Sequence, residues 1–128
     1  MAYHFSKILS GRFEDIKEKV VEALKEEGFG VITEIDVQAT FKKKLDVDFR
    51  PYHILGACNP AFAYEALKAE PHIGAMLPCN VVLQEINHEQ VEVSAVDPVS
   101  SMQAVKSEGL AETAVKVQMK LRNVIESL

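Results

Sequence analysis

The spacing of the apolar residues switches between two periods along the chain, and this switching restricts the fold more than any other feature. Residues 2–9 and 30–36 have the pattern expected of strands. The segment between them carries apolar residues at helical intervals, namely Phe13, Ile16, Val20 and Leu24. Gly28 is expected to end this helix, because glycine readily adopts the left-handed conformation that follows a last turn.

The second half of the chain predicts three strands, of which the last two are joined by a hairpin. Residues 52–58 form a strand after Pro51, and the segments 79–86 and 91–96 are joined by a loop at 87–90. Strands joined by a hairpin pair antiparallel. With no linker or repeat in the sequence, we predict one α+β domain over residues 1–128, with helices packed on one face of a mostly antiparallel sheet.

Polar residues mark the expected starts of three helices. Asp36 precedes a short helix with apolar residues up to Leu45, Asn59-Pro60 precedes one that runs to about Glu70, and Asp97-Pro98 precedes a third. Asparagine and aspartate accept hydrogen bonds from unpaired amides at a helix start, and proline suits the first helical position. The segment 71–78 contains glycine and two prolines and is expected to be irregular.

The last helix carries a narrow apolar stripe, which we interpret as a candidate dimer contact. Its residues are spaced by three or four positions: Leu110, Ala114, Val117, Leu121, Val124 and Leu128. A stripe of this width is typical of a helix that packs along a single seam. Gly109 is expected to interrupt the chain just before this helix.

The composition restricts the class of protein and its partners. The 14 basic and 19 acidic residues give a net charge of −5, which argues against a nucleic-acid partner. No apolar run approaches the roughly 20 residues that a membrane helix needs, and the N-terminus lacks the features of a signal peptide. We therefore expect a cytoplasmic protein with no membrane partner, in which both cysteines are free thiols.

Those two cysteines, each followed by asparagine, are the main candidates for chemistry. Cys58 lies at a predicted strand end, one residue before Asn59, where backbone amides and the helix dipole can lower a thiol pKa. Cys79 begins another strand and precedes Asn80. If the strands are neighbours, the thiols can face each other and form a reversible disulfide, a sulfur relay or a metal site. The alternative is that each thiol simply fills core space.

A metal site would need two ligands besides the thiols. His53 and His72 are the candidates, because each precedes one of the cysteines in the chain. Their spacing is not that of a known metal site, so no metal is assigned and the cofactor stays open.

Charged residues outside the cysteine motifs carry weaker hypotheses. The run 42–44 of three lysines, with Arg50 nearby, is either a solvated helix face or a site for a phosphate or an acidic partner. Glu34 and Asp36 share one face of a strand, as acid–base catalysis would require, although Asp36 also fits the role of helix cap.

Three segments carry a resemblance to a known family: residues 33–45, 52–60 and 77–82, supplemented by Gly74 and the Asp97-Pro98 pair. Over nearly the whole chain the sequence resembles the family of the domain of unknown function DUF302. The resemblance implies a compact α+β fold and a homodimer, and it implies no established activity. Some relatives are associated with sulfur or redox metabolism. The matching signature includes Cys58, Asn59, Pro60, Pro78, Cys79 and Asn80.

These observations lead to three functional hypotheses. The first is a homodimeric binding or accessory protein for a small molecule or a protein partner, with candidate ligand contacts at Asn59, Asn80, His53 and His72. The second is a redox or sulfur-transfer enzyme with Cys58 as nucleophile and Cys79 as resolving thiol. The third is a metal or haem binder that uses the thiols with one of the histidines.

Overall fold

Eleven elements of secondary structure follow one another in a computed structural model that describes residues 2–128. The strands are β1 (His4–Ser10), β2 (Gly30–Asp36), β3 (Tyr52–Cys58), β4 (Cys79–Asn87) and β5 (Gln90–Val96). The α-helices are α1 (Phe13–Glu26), α2 (Val37–Leu45), α3 (Pro60–Ala69), α4 (Pro98–Ser101) and α5 (Glu108–Ser127). A 3₁₀ helix, Pro71–Met76, lies between α3 and β4.

The five strands form one sheet in the order β1-β5-β4-β3-β2, and every neighbouring pair is antiparallel. The predicted antiparallel α+β fold is therefore confirmed. The β4–β5 hairpin turns at residues 88–89, where the Glu89 amide donates to Asn87 Oδ1 at 2.9 Å. In the β3–β4 register, Ala57 lies opposite Cys79 and Gly56 lies opposite Asn80.

The core lies between the sheet and the helices α1 and α5. Alternate strand residues face it, since side chains of a strand point to opposite faces in turn. The core residues of β3, β4 and β5 that have no exposed surface are Leu55, Val81, Leu83, Val93 and Ala95. They pack with Val20 and Leu24 of α1 and with Leu121 and Val124 of α5.

The predicted helix starts are confirmed by capping hydrogen bonds. Asp36 Oδ1 accepts from the Ala39 amide at 2.9 Å, and Asn59 Oδ1 accepts from the Phe62 amide at 3.4 Å. Asp97 caps α4, accepting from the Val99 amide at 3.0 Å. After α1, Gly28 has φ +86°, the left-handed conformation expected of the residue that ends a helix.

Two local predictions are wrong. Residues 71–76 form a 3₁₀ helix instead of an irregular segment, because Pro71 suits a first turn and the Glu70 carboxylate accepts from the His72 amide at 3.0 Å. Gly109 lies in the first turn of α5 and does not interrupt the chain before it. Glycine destabilises a helix through the backbone entropy lost in its interior, so a glycine in the first turn is tolerated. The Ser107 hydroxyl caps the helix, accepting from the Leu110 amide at 3.5 Å.

The apolar stripe of α5 is buried within its own chain. Its residues Leu110, Ala114, Val117, Leu121 and Val124 are each at most 8% exposed. The interpretation of this stripe as a dimer contact therefore loses its basis, because the sheet and α3 already cover it. Within residues 2–128, none of the helices combines the length and the apolar character needed to cross a membrane.

Candidate functional site

A cavity of about 300 Å³ lies beside the sheet, where β3 ends and β4 begins. Its walls come from these two strand ends, from α3 and the 3₁₀ helix, and from α4 and the first half of α5. Ile32 and Leu67 stand at its opening, with 62% and 43% of their surfaces exposed. The cavity is thus enclosed by elements distant in sequence and is open to solvent on one side.

Small side chains explain why this space is not filled. Four alanines line the cavity, one on β3, two on α3 and one on α5: Ala57, Ala63, Ala66 and Ala114. The core between the sheet and α5 is instead filled by leucine and valine. Protein interiors are normally packed to the density of organic crystals. A run of alanines on facing elements therefore leaves room that larger side chains would occupy.

Both cysteines line this cavity. β3 and β4 are neighbouring strands, and Cys79 lies opposite the residue that precedes Cys58. Both thiols are free, with Cys58 half-buried and Cys79 buried. Burial, and to a lesser extent the neighbouring Cys58, raise the pKa of the Cys79 thiol to about 11. Near neutral pH, Cys79 is therefore a protonated, weakly polar part of the wall.

The raised pKa of Cys79 makes stability pH-dependent in alkaline solution. In the unfolded chain the thiol ionises near pH 9.0, whereas in the folded protein it stays protonated to about pH 11. The unfolded state thus loses its proton first, so stability is unaffected below pH 9 and falls as pH rises from 9 to 11. The full two pKa units correspond to about 3 kcal/mol, of which about 2 kcal/mol is lost by pH 10.5. Urea unfolding of the parent and of Cys79→Ala at pH 8 and at pH 10.5 measures this loss.

A matched variant separates this effect from other alkaline titrations. Cys58→Ala keeps the buried thiol and is expected to lose stability with pH like the parent, whereas Cys79→Ala is expected to lose less. An equal alkaline loss in both variants would show that burial of Cys79 is not its cause.

The two asparagines of the cysteine motifs lie in different places. Asn59 lines the cavity, and its side-chain oxygen caps α3. Asn80 is exposed and faces away from the cavity, since it follows the buried Cys79 and consecutive strand residues alternate in direction. It lines a shallow groove on the opposite face of the sheet. Asn80 therefore does not contact a ligand in the cavity, contrary to the sequence-based expectation.

Neither histidine candidate joins the thiols. His53 lies five residues before Cys58 on β3, a separation of about 16 Å along a strand, and its Nδ1 lies 2.6 Å from Glu34 Oε2. The His72 side chain is 96% exposed and pairs with Glu70 at 3.1 Å. The metal and haem hypothesis loses the ligands on which it rested. Among residues 2–128, no three His, Cys, Asp or Glu residues are grouped to hold a metal ion.

Glu34 and Asp36 belong to a polar cluster around His53, away from the cavity. Lys17 Nζ lies 2.7 Å from Glu34 Oε2, and this hydrogen bond lowers the pKa of Glu34 and raises that of Lys17. Asp36 Oδ2 lies 3.6 Å from His53 Nε2. The ring of Phe13 packs edge-on against His53, at a centroid distance of 5.0 Å. The cluster ties α1 to the edge of the sheet and contributes no residue to the cavity wall.

The lysine run does not combine with Arg50. Lys42 pairs with Asp46 at 3.1 Å, while Arg50 donates to Gln84 Oε1 at 3.0 Å and stacks on Phe49. The lysines therefore form a solvated helix face, the simpler of the two interpretations.

Sequence analysis missed most of the cavity wall. The ligand contacts predicted from the sequence include none of its apolar residues from α3, the 3₁₀ region, the segment after α4, and α5: Phe62, Leu67, Leu77, Met102, Leu110 and Ala114. The only available signal was the alternation of alanine with large residues on α3 and α5, which is also common in filled cores.

Comparisons with known proteins support this fold and give no information on activity. Residues 5–128 match the family described as domain of unknown function DUF302. A solved structure of an uncharacterised conserved DUF302 protein from Bacillus stearothermophilus is 27% identical, with a TM-score of 0.89 over 98% of both chains. The comparison with curated proteins finds no match. With the family signature, the antiparallel sheet and its helical layer in place, the chain belongs to the DUF302 family.

Proposed function

We propose that this protein is a cytoplasmic homodimeric binding protein whose small-molecule ligand occupies the cavity beside Cys58 and Cys79. The observation that carries the proposal is the cavity itself, with a volume of about 300 Å³. This lies at the lower end of the range for ligand sites, which are typically concave and mostly apolar. The homodimer is proposed on the resemblance to the DUF302 family.

The chemistry of the wall favours binding over acid–base catalysis. General acids and bases must lie within hydrogen-bond reach of the reacting group. Across the described chain, no Asp, Glu, Lys, Arg or His side chain lines the cavity. Of the two neutral polar side chains there, Asn59 caps α3 and Thr113 donates to the Gly109 carbonyl at 3.1 Å. The cavity wall therefore offers a bound ligand no charged side chain that could act as a general acid or base.

The test is a native mass spectrum of protein purified gently under reducing conditions. We expect a homodimer that carries a small molecule released on denaturation. A bare chain mass, together with no uptake of any added apolar compound, would contradict the proposal. A ligand-bearing monomer would overturn the homodimer and leave the binding function in place.

A second candidate function is that of a thiol enzyme in redox or sulfur transfer, supported by the presence of both thiols on one cavity wall. In the redox form, the Cys58 thiolate would attack a low-molecular-weight disulfide, forming a mixed disulfide and releasing one thiolate. Cys79 would then attack the Cys58 sulfur, giving a protein disulfide and the second thiol. The pKa of about 11 for Cys79 argues against this step, because little thiolate is present near neutral pH.

Alkylation rates separate the two candidates. In Cys58→Ala, the remaining thiol of Cys79 is expected to react at least about a hundredfold more slowly than a free thiol at pH 8, since its pKa is raised to about 11 and its side chain is buried. In Cys79→Ala, an enzymatic role requires Cys58 to react faster than a free thiol near pH 7. A slower or equal rate would leave the redox candidate without a nucleophile, and fast alkylation of Cys79 would contradict its burial.

A further inference from the structure

The polar atoms around the cavity define which ligand it can accept. Throughout the described residues, every buried side-chain nitrogen and oxygen has a hydrogen-bond partner. The surface facing the space is mostly hydrocarbon, and the polar groups among it are the two thiols, the Asn59 amide and the Thr113 hydroxyl, of which Cys79 is protonated at neutral pH. A charged group would lose its water there and find no opposite charge on the wall, so its burial is strongly unfavourable.

The volume sets the size of the ligand. An apolar protein cavity of about 150 Å³ binds benzene, which has six non-hydrogen atoms. By the same measure, about 300 Å³ accommodates roughly twelve non-hydrogen atoms. This is more than any single side chain of a partner protein contains, so a small molecule suits the space better than an inserted side chain.

The opening has the same chemical character as the interior. Ile32 and Leu67, the exposed residues at the opening, present hydrocarbon to solvent and carry no charge. Apolar surface therefore continues from the outside to the inner wall, without a ring of charges that would orient an ionic ligand.

We infer that the cavity binds an uncharged, apolar organic group of about twelve non-hydrogen atoms, such as a fused aromatic or a branched hydrocarbon. This inference rests on the proposed function and names its ligand class. It excludes phosphates, nucleotides and free metal ions as occupants of the cavity.

A matched pair of probes tests the ligand class. Naphthalene is neutral and fits the volume, whereas naphthalene-1,5-disulfonate has the same ring system with a charge on either side, so that it cannot enter without burying one. Titrations followed by amide chemical shifts are expected to show saturable naphthalene binding, with the shifts concentrated in α3 and α5. The disulfonate is expected to cause no such shifts at the same concentrations.

A matched pair of variants locates the binding. Ala114→Leu fills the cavity from α5 and is expected to weaken naphthalene binding by at least about tenfold. Its thermal stability should stay the same or rise, because filling an apolar void is a common stabilising change. Ala111→Leu makes the same substitution on an exposed position of the same helix, and its affinity should match that of the parent. If Ala114→Leu does not fold, Ala63→Leu on α3 tests the same wall.

The outcomes distinguish the ligand class from the binding function. Disulfonate binding that Ala114→Leu abolishes would overturn the apolar class and leave the cavity as the site. If naphthalene does not bind while native mass spectrometry finds a retained molecule, the apolar ligand class is likewise overturned and the binding function is kept. Naphthalene binding that Ala114→Leu leaves unchanged would place the probe elsewhere and overturn the inference. Failure of both probes, with a bare chain mass, would overturn the proposed function as well.

Discussion

Replacing Gly56 with alanine is expected to destabilise the protein by about 3 kcal/mol or more, the upper end of the usual cost of overpacking. Gly56 lies within β3, between two neighbouring strands, and has no room for a side chain. A Cβ atom there would lie 2.1 Å from Thr33 Oγ1 and 2.7 Å from Pro78 Cγ. The threonine hydroxyl can rotate away, but the proline ring cannot, so the backbone at Pro78, just before β4, must shift.

Gly30 provides the matched control, because it lies on β2 and a Cβ atom at this position would meet nothing within 4 Å. Gly30→Ala should change stability by less than about 0.5 kcal/mol. Urea unfolding of the two variants measures the difference, and adding Thr33→Ala to Gly56→Ala should restore part of the loss. Equal stability of the two glycine variants would show that the close approach of Pro78 does not exist.

Replacing Asp97 with alanine is expected to cost about 3 kcal/mol, because the change leaves buried donors without partners. The Asp97 carboxylate is 8% exposed and joins three segments of the chain. It accepts from the Val99 amide at 3.0 Å, from the Ser100 hydroxyl at 3.3 Å and from Gln118 Nε2 at 3.1 Å. It thereby holds the end of β5 and α4 to α5, next to the cavity.

Asp36 is the control for this variant, because it also caps a helix but is exposed, accepts a single backbone bond from Ala39 and otherwise makes only the long 3.6 Å contact with His53. Asp36→Ala should cost about 1 kcal/mol, the usual value for a lost cap. Chemical denaturation of both variants, with Gln118→Ala as a partial deletion of the network, tests the difference. Similar costs for Asp97→Ala and Asp36→Ala would mean that the buried network adds nothing to the cap.

The two variants also separate stability from binding. Asp97→Ala weakens the attachment of α4 and α5, which form part of the cavity wall, so it should reduce naphthalene affinity as well as stability. Asp36→Ala acts on α2, which contributes no residue to the cavity, and should leave affinity unchanged.

Local features of this protein were determined by the sequence alone. The caps at Asp36 and Asn59 and the left-handed Gly28 were predictable, because a cap and the amide it binds lie within three residues. The β4–β5 hairpin was predictable as well, since the loop between these two strands is too short for any pairing but an antiparallel one.

Only the tertiary structure decided where the chemistry lies. His53 and Cys58 are close in sequence, yet an extended strand separates them, and Asn80 faces away from Cys79 because strand side chains alternate. The apolar stripe of α5 is buried within the chain, because it packs against the sheet. The cavity exists because Ala57, Ala66 and Ala114, far apart in sequence, meet across three elements. Such a void is a property of how elements pack, and no local pattern of residues encodes it.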